Sequence, residues 1–327
     1  MHRRNSVKFA ITTLLSLLVF SANAQDANSY PSKPIRIIVN FPPGGTVDVM
    51  TRGVAQKLTE KWGQAVVIDN RPGAGGNIGA QAVASAEPDG YTLLATPPGP
   101  MTINQYLYKD MRFDPAKLSS VIMMASVPNA IAARIDFPAN NVKELIAYTK
   151  ANPGKVSFGS QGNGSTSHLT GQMFATMVGS DMMHIPFKGE GPALTEILGG
   201  RVDLFLGNIS AVLKLYQNKQ IKLLGVASPV RSSMASEIPS SQEFGMPDFV
   251  ASAWFAIAAP PGTPAPIINK INGAILEALK LPDIQQKMAA LGGEVVGGSP
   301  ADMTTMVIAE RARWKKVIET PTSNLTN

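Results

Sequence analysis

The feature that most constrains this chain is a repeated exchange between two hydrophobic periods. Brief apolar, β-rich runs alternate with longer segments in which apolar side chains recur at helical spacing. The strand candidates are Ile35–Asn40, Val66–Asp69, Tyr91–Thr96, Val121–Ala125, Ala130–Ile135, Val156–Ser160, His184–Phe187, Asp203–Gly207, Ile221–Ala227 and Trp254–Ala258. They show little polar alternation, as expected of strands covered on both faces. Helical stripes lie between and after them: Val47, Met50, Val54 and Leu58; Leu169, Met173 and Met177; Ile267, Ile271, Ile275 and Leu279; then Met303, Val307 and Trp314. This alternation predicts an α/β fold with parallel sheets flanked by helices. In such sheets, ligands gather at the ends of strands that run into helices.

The N-terminal stretch predicts export. His2, Arg3, Arg4 and Lys8 precede an apolar run from Phe9 to Phe20, and Ser21-Ala22-Asn23-Ala24 offers small residues for cleavage. Residues 1–24 therefore read as a signal peptide cut near Ala24, and the mature chain is expected in the periplasm. The chain has no cysteine, which excludes disulfides, thiolate metal sites, thiol catalysis and a lipidated N-terminal cysteine. A length of 327 residues is enough for two lobes that need no cross-links. The formal net charge of +6 includes cations that leave with the signal peptide. The remaining charge forms no basic stripe interleaved with aromatics, so no nucleic-acid partner is expected. A mildly basic surface favours an anionic ligand.

Glycine and proline cluster where strands give way to helices. In the first cluster, Phe41-Pro42-Pro43-Gly44-Gly45-Thr46-Val47-Asp48, the glycines let backbone N–H groups approach a ligand, and the helix N-terminus adds partial positive charge. Thr46 is the candidate N-cap, and Asp48 is expected to brace the first turn. The segment reads either as a carboxylate cradle of neutral groups or as an ordinary tight turn. A second cluster, Gly159-Ser160-Gln161-Gly162-Asn163-Gly164-Ser165-Thr166-Ser167-His168, repeats the plan with more hydroxyl donors. A third, His184 to Gly191, carries Lys188, which could meet a ligand carboxylate and is expected instead to form a solvated pair with Glu190. Asn208 ends a further strand as a polar contact or a helix cap.

Catalytic signatures are missing from the sequence pattern. Gly73-Ala74-Gly75-Gly76-Asn77-Ile78-Gly79 has the wrong spacing for a dinucleotide fingerprint and lacks the acid that should follow it. The sequence has no Gly-x-Ser-x-Gly elbow, phosphate-loop lysine or His-Glu-x-x-His. Neither His168 nor His184 has a metal-ligand partner at helical spacing. No enzyme activity, metal or cofactor is expected.

Several segments in order resemble one family. They are Tyr30-Pro31-Ser32-Lys33-Pro34-Ile35, Phe41-Pro42-Pro43-Gly44-Gly45 with Asp48, Asn70-Arg71-Pro72-Gly73 through Gly79, and Pro88-Asp89-Gly90-Tyr91-Thr92-Leu93-Leu94. The Gly159–His168 loop, Lys188-Gly189 with Gly191-Pro192-Ala193-Leu194, Pro260-Pro261-Gly262-Thr263-Pro264 and Arg313-Trp314 complete the series. The chain resembles the Bug-type periplasmic solute-binding receptors of tripartite tricarboxylate transporters from about Tyr30 to Val317. The resemblance implies an α/β, two-lobed type II periplasmic-binding (Venus flytrap) fold, each lobe a mostly parallel sheet flanked by helices. One lobe would comprise residues 25–126 plus 254–327 and the other 127–253.

It also implies a monomer that captures a small organic carboxylate and delivers it to two integral membrane permease subunits. A receptor presenting its ligand to a sensor kinase, or a secreted hydrolase, are the alternatives. The family's ligand loops correspond here to Phe41, Gly44, Gly45, Thr46, Val47 and Asp48, to Thr96, and to Ser160, Asn163, Gly164, Ser165, Thr166 and His168. Phe187, Lys188, Gly189 and Asn208 complete the implied site. Val47, Phe187 and the Leu206-Gly207 pair before Asn208 stand where the family often has Thr, Tyr and an aspartate. These changes imply a ligand less polar than citrate, an aromatic or short aliphatic mono- or dicarboxylate.

Overall fold

A computed structural model describes residues 29–319; the expected signal peptide, Met1–Ala24, lies outside the described residues. The apolar runs form strands because their β-branched side chains are buried together. In β1 (Ile35–Val39), Ile37, Ile38 and Val39 are fully enclosed. β1 pairs in parallel with β2 (Val66–Asn70) on one side and β3 (Thr92–Thr96) on the other. Two helices make the crossovers: α1 (Thr46–Trp62) and α2 (Asn77–Ala84). The stripe Val47, Met50, Val54 and Leu58 on α1 is buried as its spacing predicts, at about 1.5–3 kcal/mol per large side chain.

The two central candidates, Val121–Ala125 and Ala130–Ile135, form one continuous strand, β4 (Ser119–Arg134). Pro128, which cannot donate to a ladder, stands between the two candidates. In the structure it falls where β4 changes partners, so its missing N–H interrupts neither ladder. Up to Pro128, β4 runs antiparallel to β9 (Ser252–Ala259); from Asn129 onward it runs antiparallel to β7 (Leu204–Asn208) and β8 (Ile221–Val226). β5 (Ser157–Ser160) pairs in parallel with β6 (Met183–Pro186) and β7. Parallel pairing thus builds the outer part of each lobe, and antiparallel pairing builds the part where β4 and β9 connect them.

Helices α3 (Val142–Ala151), α4 (Thr166–Val178), α5 (Glu190–Leu198) and α6 (Ile209–Gln217) connect the strands from β4 to β8. The C-terminal part follows β9 as α7 (Ala265–Leu279), α8 (Pro282–Ala290), β10 (Glu294–Gly297), which pairs with β4, and α9 (Pro300–Glu319). Ile267, Ile271, Ile275 and Leu279 form the buried face of α7, as expected from their spacing. Trp314 of α9 is fully buried in one cluster with Ile103 and with Leu169 of α4. Among the described residues, no helix is long and apolar enough to cross a membrane.

Candidate functional site

The loops that follow β1, β5, β6 and β7 meet between the lobes. The β1–α1 loop closes on itself through Asp48. Its Oδ2 accepts from the Gly44 N–H at 2.9 Å and from Arg52 Nε at 2.9 Å, while Oδ1 accepts from Asn70 Nδ2 at 2.9 Å. Burial alone would raise the Asp48 carboxyl, but these hydrogen bonds outweigh it and hold it below the ordinary range. Asp48 therefore braces the loop. The helix N-cap is Gly45, not Thr46: Thr46 is already the first helical residue, which leaves its N–H and hydroxyl directed at the cleft.

The group that takes those donors is the carboxylate of Glu190, at the start of α5. Thr46 N–H donates to Glu190 Oε2 at 3.2 Å, and Thr46 Oγ1 donates to Oε1 at 3.0 Å. Gln161 Nε2 and Asn208 Nδ2 each donate to Oε1 at 2.6 Å. Ser210 Oγ lies 2.8 Å from Thr46 Oγ1 and extends the network. No lysine or arginine is among these partners, so the solvated Lys188–Glu190 pair expected from sequence is not formed. The Glu190 stem is half-buried and its carboxylate is the enclosed end; burial raises its pKa, with the bonds from Asn208 and Thr46 opposing only part of that shift.

Asn208 occupies the N-cap position of α6, but its side chain makes no capping bond. Its amide nitrogen is committed to Glu190, and its Oδ1 is buried without a partner.

A cavity of about 560 Å³ opens on this network. Its polar end is Gly44, Gly45, Thr46, Gln161, Glu190 and Asn208, and its walls include Phe41, Val47, Leu194, Leu198, Ala211, Leu215, Phe255 and Leu291. A smaller cavity of about 200 Å³ shares Phe41, Pro42 and Gln161 and continues past Gly73–Gly76 and Tyr108 to Asn163, Phe187 and Lys188. Both cavities are lined from the two lobes. Tyr108 Oη also donates across the cleft to the Asn163 carbonyl at 3.0 Å.

The remaining residues expected at the site turn inward and line neither cavity. Thr96 Oγ1 accepts from Asn40 Nδ2 and donates to the Pro97 carbonyl. Ser160 Oγ lies 2.7 Å from His184 Nε2 and accepts from the Gly162 N–H. Ser165 caps α4 by accepting from the His168 N–H, and it donates to the Gly162 carbonyl. Thr166 is buried within the first turn of α4. His168 Nδ1 accepts from the Gly164 N–H, and the His168 ring stacks 3.9 Å from His184. Burial lowers His168 to about 3, with His184 adding to the effect, and lowers His184 to about 4. Gly164 and Gly189 are close-packing positions: a Cβ on Gly164, where φ is +79°, would fall 2.0 Å from Asn104 Oδ1 of the other lobe.

Sequence reasoning missed Glu190 as a cleft residue, together with Gln161 and Ser210. Gln161 stood inside a loop already singled out, so its position was a usable signal. Glu190 meets Thr46 across 144 residues of chain, and no local pattern announces such a contact. Among the described residues there is no cluster of three or more His, Cys, Asp or Glu suited to a metal.

Comparison with known proteins brings in function. The family described as "Tripartite tricarboxylate transporter family receptor" matches residues 50–322. The protein BugT of Bordetella pertussis is 37% identical over 316 residues, covering 94% of this chain and 97% of the relative. A Rhodopseudomonas palustris protein solved with adipate is 37% identical with a TM-score of 0.86, covering 90% of this chain and 98% of its own. MatC from the same organism, solved with bound malate, is 29% identical with a TM-score of 0.84, covering 89% of this chain and all of its own length (100%).

Proposed function

This chain belongs to the tripartite tricarboxylate transporter receptor family, a family of solute-binding receptors and not of enzymes, and on that premise we propose that it captures a small organic carboxylate between its lobes in the periplasm. Two integral membrane permease subunits then receive the ligand. The lobes are taken as residues 25–126 with 254–327, and 127–253, hinged near Ser126 and Ala253. The change of partner along β4 supports that division. The adipate- and malate-bound relatives support a carboxylate as the ligand class.

The observation that carries the reading is chemical. The polar end of the interlobe cavity is a set of neutral donors, Thr46, Gln161 and Asn208, and that set converges on a carboxylate, the chain's own Glu190. Hydrogen bonds to a charged group contribute about 1.5–3 kcal/mol each, so several in an enclosed cleft are enough to hold an anion without a salt bridge. The apolar walls fit an aliphatic or aromatic body, in keeping with the low polarity that Val47 and Phe187 give the cleft.

A thermal-shift screen of the mature protein against aliphatic and aromatic organic acids tests the reading. Ligand that binds only the folded state stabilises it by about 2.7 kcal/mol at a hundredfold excess over Kd, so one or more acids should raise Tm by several degrees. A flat response from folded, ligand-free protein across the whole panel would overturn it.

A further inference from the structure

We infer that Glu190 is an internal occupant of the anion cradle: its carboxylate holds the donors that a ligand carboxylate needs, and ligand binding displaces it. The inference deepens the carboxylate-receptor reading and rests on it. Three observations carry it.

First, the Glu190 carboxylate already holds the donors of the cradle. An ionised carboxylate offers about four lone-pair directions. Here Oε1 receives the Thr46 hydroxyl and the amides of Gln161 and Asn208, and Oε2 receives the Thr46 N–H. In this state Glu190 holds the donors that a guest carboxylate would need, so it fills the site instead of leaving it open.

Second, the carboxylate lies where a guest would have to bind. A Cβ placed on Gly45 would point at Glu190 Oε2 from 3.6 Å, so the face that Gly45 keeps open is the face Glu190 covers. The same donors form the polar end of the 560 Å³ cavity.

Third, the arrangement is self-contained in charge but incomplete in hydrogen bonding. Among the described residues no cation makes an ion pair with Glu190, although Lys214 lines the same cavity, and Asn208, another lining residue, has a buried Oδ1 with no partner among them. An enclosed carboxylate held only by neutral groups is poorly solvated compared with one in water. Glu190 stands at the first position of α5 and is only partly buried as a residue, so a change of rotamer can carry its carboxylate out of the cradle. An incoming carboxylate would inherit the same donors.

The consequence is selectivity for anions. A neutral solute cannot replace the charge-assisted bonds that Glu190 makes, so it cannot displace Glu190, whereas a carboxylate can. The cost is apparent affinity: if Glu190 occupies the cradle in about nine molecules of ten, the observed Kd is about tenfold weaker than that of the empty cradle.

Calorimetry with adipate, malate and benzoate on wild type, Glu190→Gln and Glu190→Ala tests this. Glu190→Ala should bind the preferred acid about tenfold tighter than wild type, with Glu190→Gln between them because its amide oxygen still accepts from Thr46. Unchanged or weaker binding in Glu190→Ala overturns the inference and would make Glu190 a residue that contacts the ligand. A wild-type crystal structure with the bound acid decides independently of how the variants fold. The ligand carboxylate on Thr46 N with Glu190 turned outward supports displacement, and Glu190 still on Thr46 overturns it. Binding of none of the three acids by any of the three proteins would instead sink the carboxylate-receptor reading itself.

Discussion

The β1–α1 loop and the β5–α4 loop are written in the same grammar, glycines and hydroxyls between a strand and a helix, yet they have opposite fates. In Phe41–Asp48 the helix cap is a glycine with no side chain to spend on capping, so Thr46 turns its N–H and hydroxyl to the cleft and meets a carboxylate from the other lobe. In Gly159–His168 the hydroxyls satisfy the loop itself. Ser165 caps α4, Ser167 Oγ accepts from the Gln161 N–H, Ser160 accepts from Gly162, and His168 accepts from Gly164. From this second loop Gln161, Gly162 and Asn163 line a cavity, and none of its serines or threonines does. A polar glycine-rich turn therefore exposes donors only where its own side chains leave backbone groups unclaimed.

The largest expected effect comes from closing the open face of the first loop. Gly45 has φ −73°, which any residue adopts, and its Cβ position has only ordinary contacts at 3.5 Å to the Pro42 carbonyl and 3.6 Å to Glu190. Gly45→Val should therefore fold normally while its methyl groups exclude any carboxylate, external or internal. Binding is expected to weaken by about a thousandfold or more, roughly 4 kcal/mol. Calorimetry beside a thermal melt checks it, and near wild-type affinity would show that the anion is held elsewhere.

The second loop should instead answer to acid. His168 is buried and His184 half-buried, and both are neutral, with pKa values depressed to about 3 and about 4, while an unfolded histidine titrates near 6.5. Below about pH 6.5 the unfolded chain takes up protons that the folded chain refuses, so the stability contributed by the neutral rings is lost as pH falls toward 4. His168 alone should account for about 2 kcal/mol between pH 6.5 and pH 5. Glu190, whose pKa is raised, works in the opposite direction and offsets part of this. Urea unfolding across that range should give the slope. His168→Asn, whose amide oxygen can accept from Gly164 without titrating, should flatten it; an equal slope in both proteins would remove the histidine pair from the account.

Ser165→Ala separates the loops at lower cost. It removes the cap of α4 and the bond to the Gly162 carbonyl, a loss of about 1–2 kcal/mol in stability. Ligand affinity should barely change, because Ser165 lines neither cavity. A large fall in affinity with unchanged stability would return Ser165 to the cleft.

The elements were legible because their causes are local. The stripes of α1 and α7 and the β-branched runs of β1 and β8 declare their structure within a few residues. The two errors along the chain have tertiary causes. Val121–Ala125 and Ala130–Ile135 turned out to be one strand, and the change of partner at Pro128 that joins them is set by β9 and β7, far away in sequence. β10 was missed because Glu294, Val295 and Val296 are exposed and leave no burial pattern to read. At the site, the first loop could be recognised from its glycines, but its closure could not. Lys188 is two residues from Glu190 and invited a pairing by proximity, whereas the donors that hold Glu190 come from three other segments.

Lys188 gives the smallest and sharpest test of the comparison. It is exposed and lines the smaller cavity beside Phe187, away from the donors that converge at Thr46. If neutral donors hold the anion, Lys188 acts on the ligand only through solvent, where an exposed charge contributes less than about 1 kcal/mol and is screened within about 10 Å at 0.1 M salt. Lys188→Ala should therefore slow association at low ionic strength and lose most of that difference at high salt, with dissociation unchanged. Stopped-flow binding of adipate or malate at two salt concentrations separates the two rates. Faster dissociation from Lys188→Ala, persisting at high salt, would mean that the lysine grips the bound anion, and the neutral first loop would then share its role with a cation supplied by the other lobe.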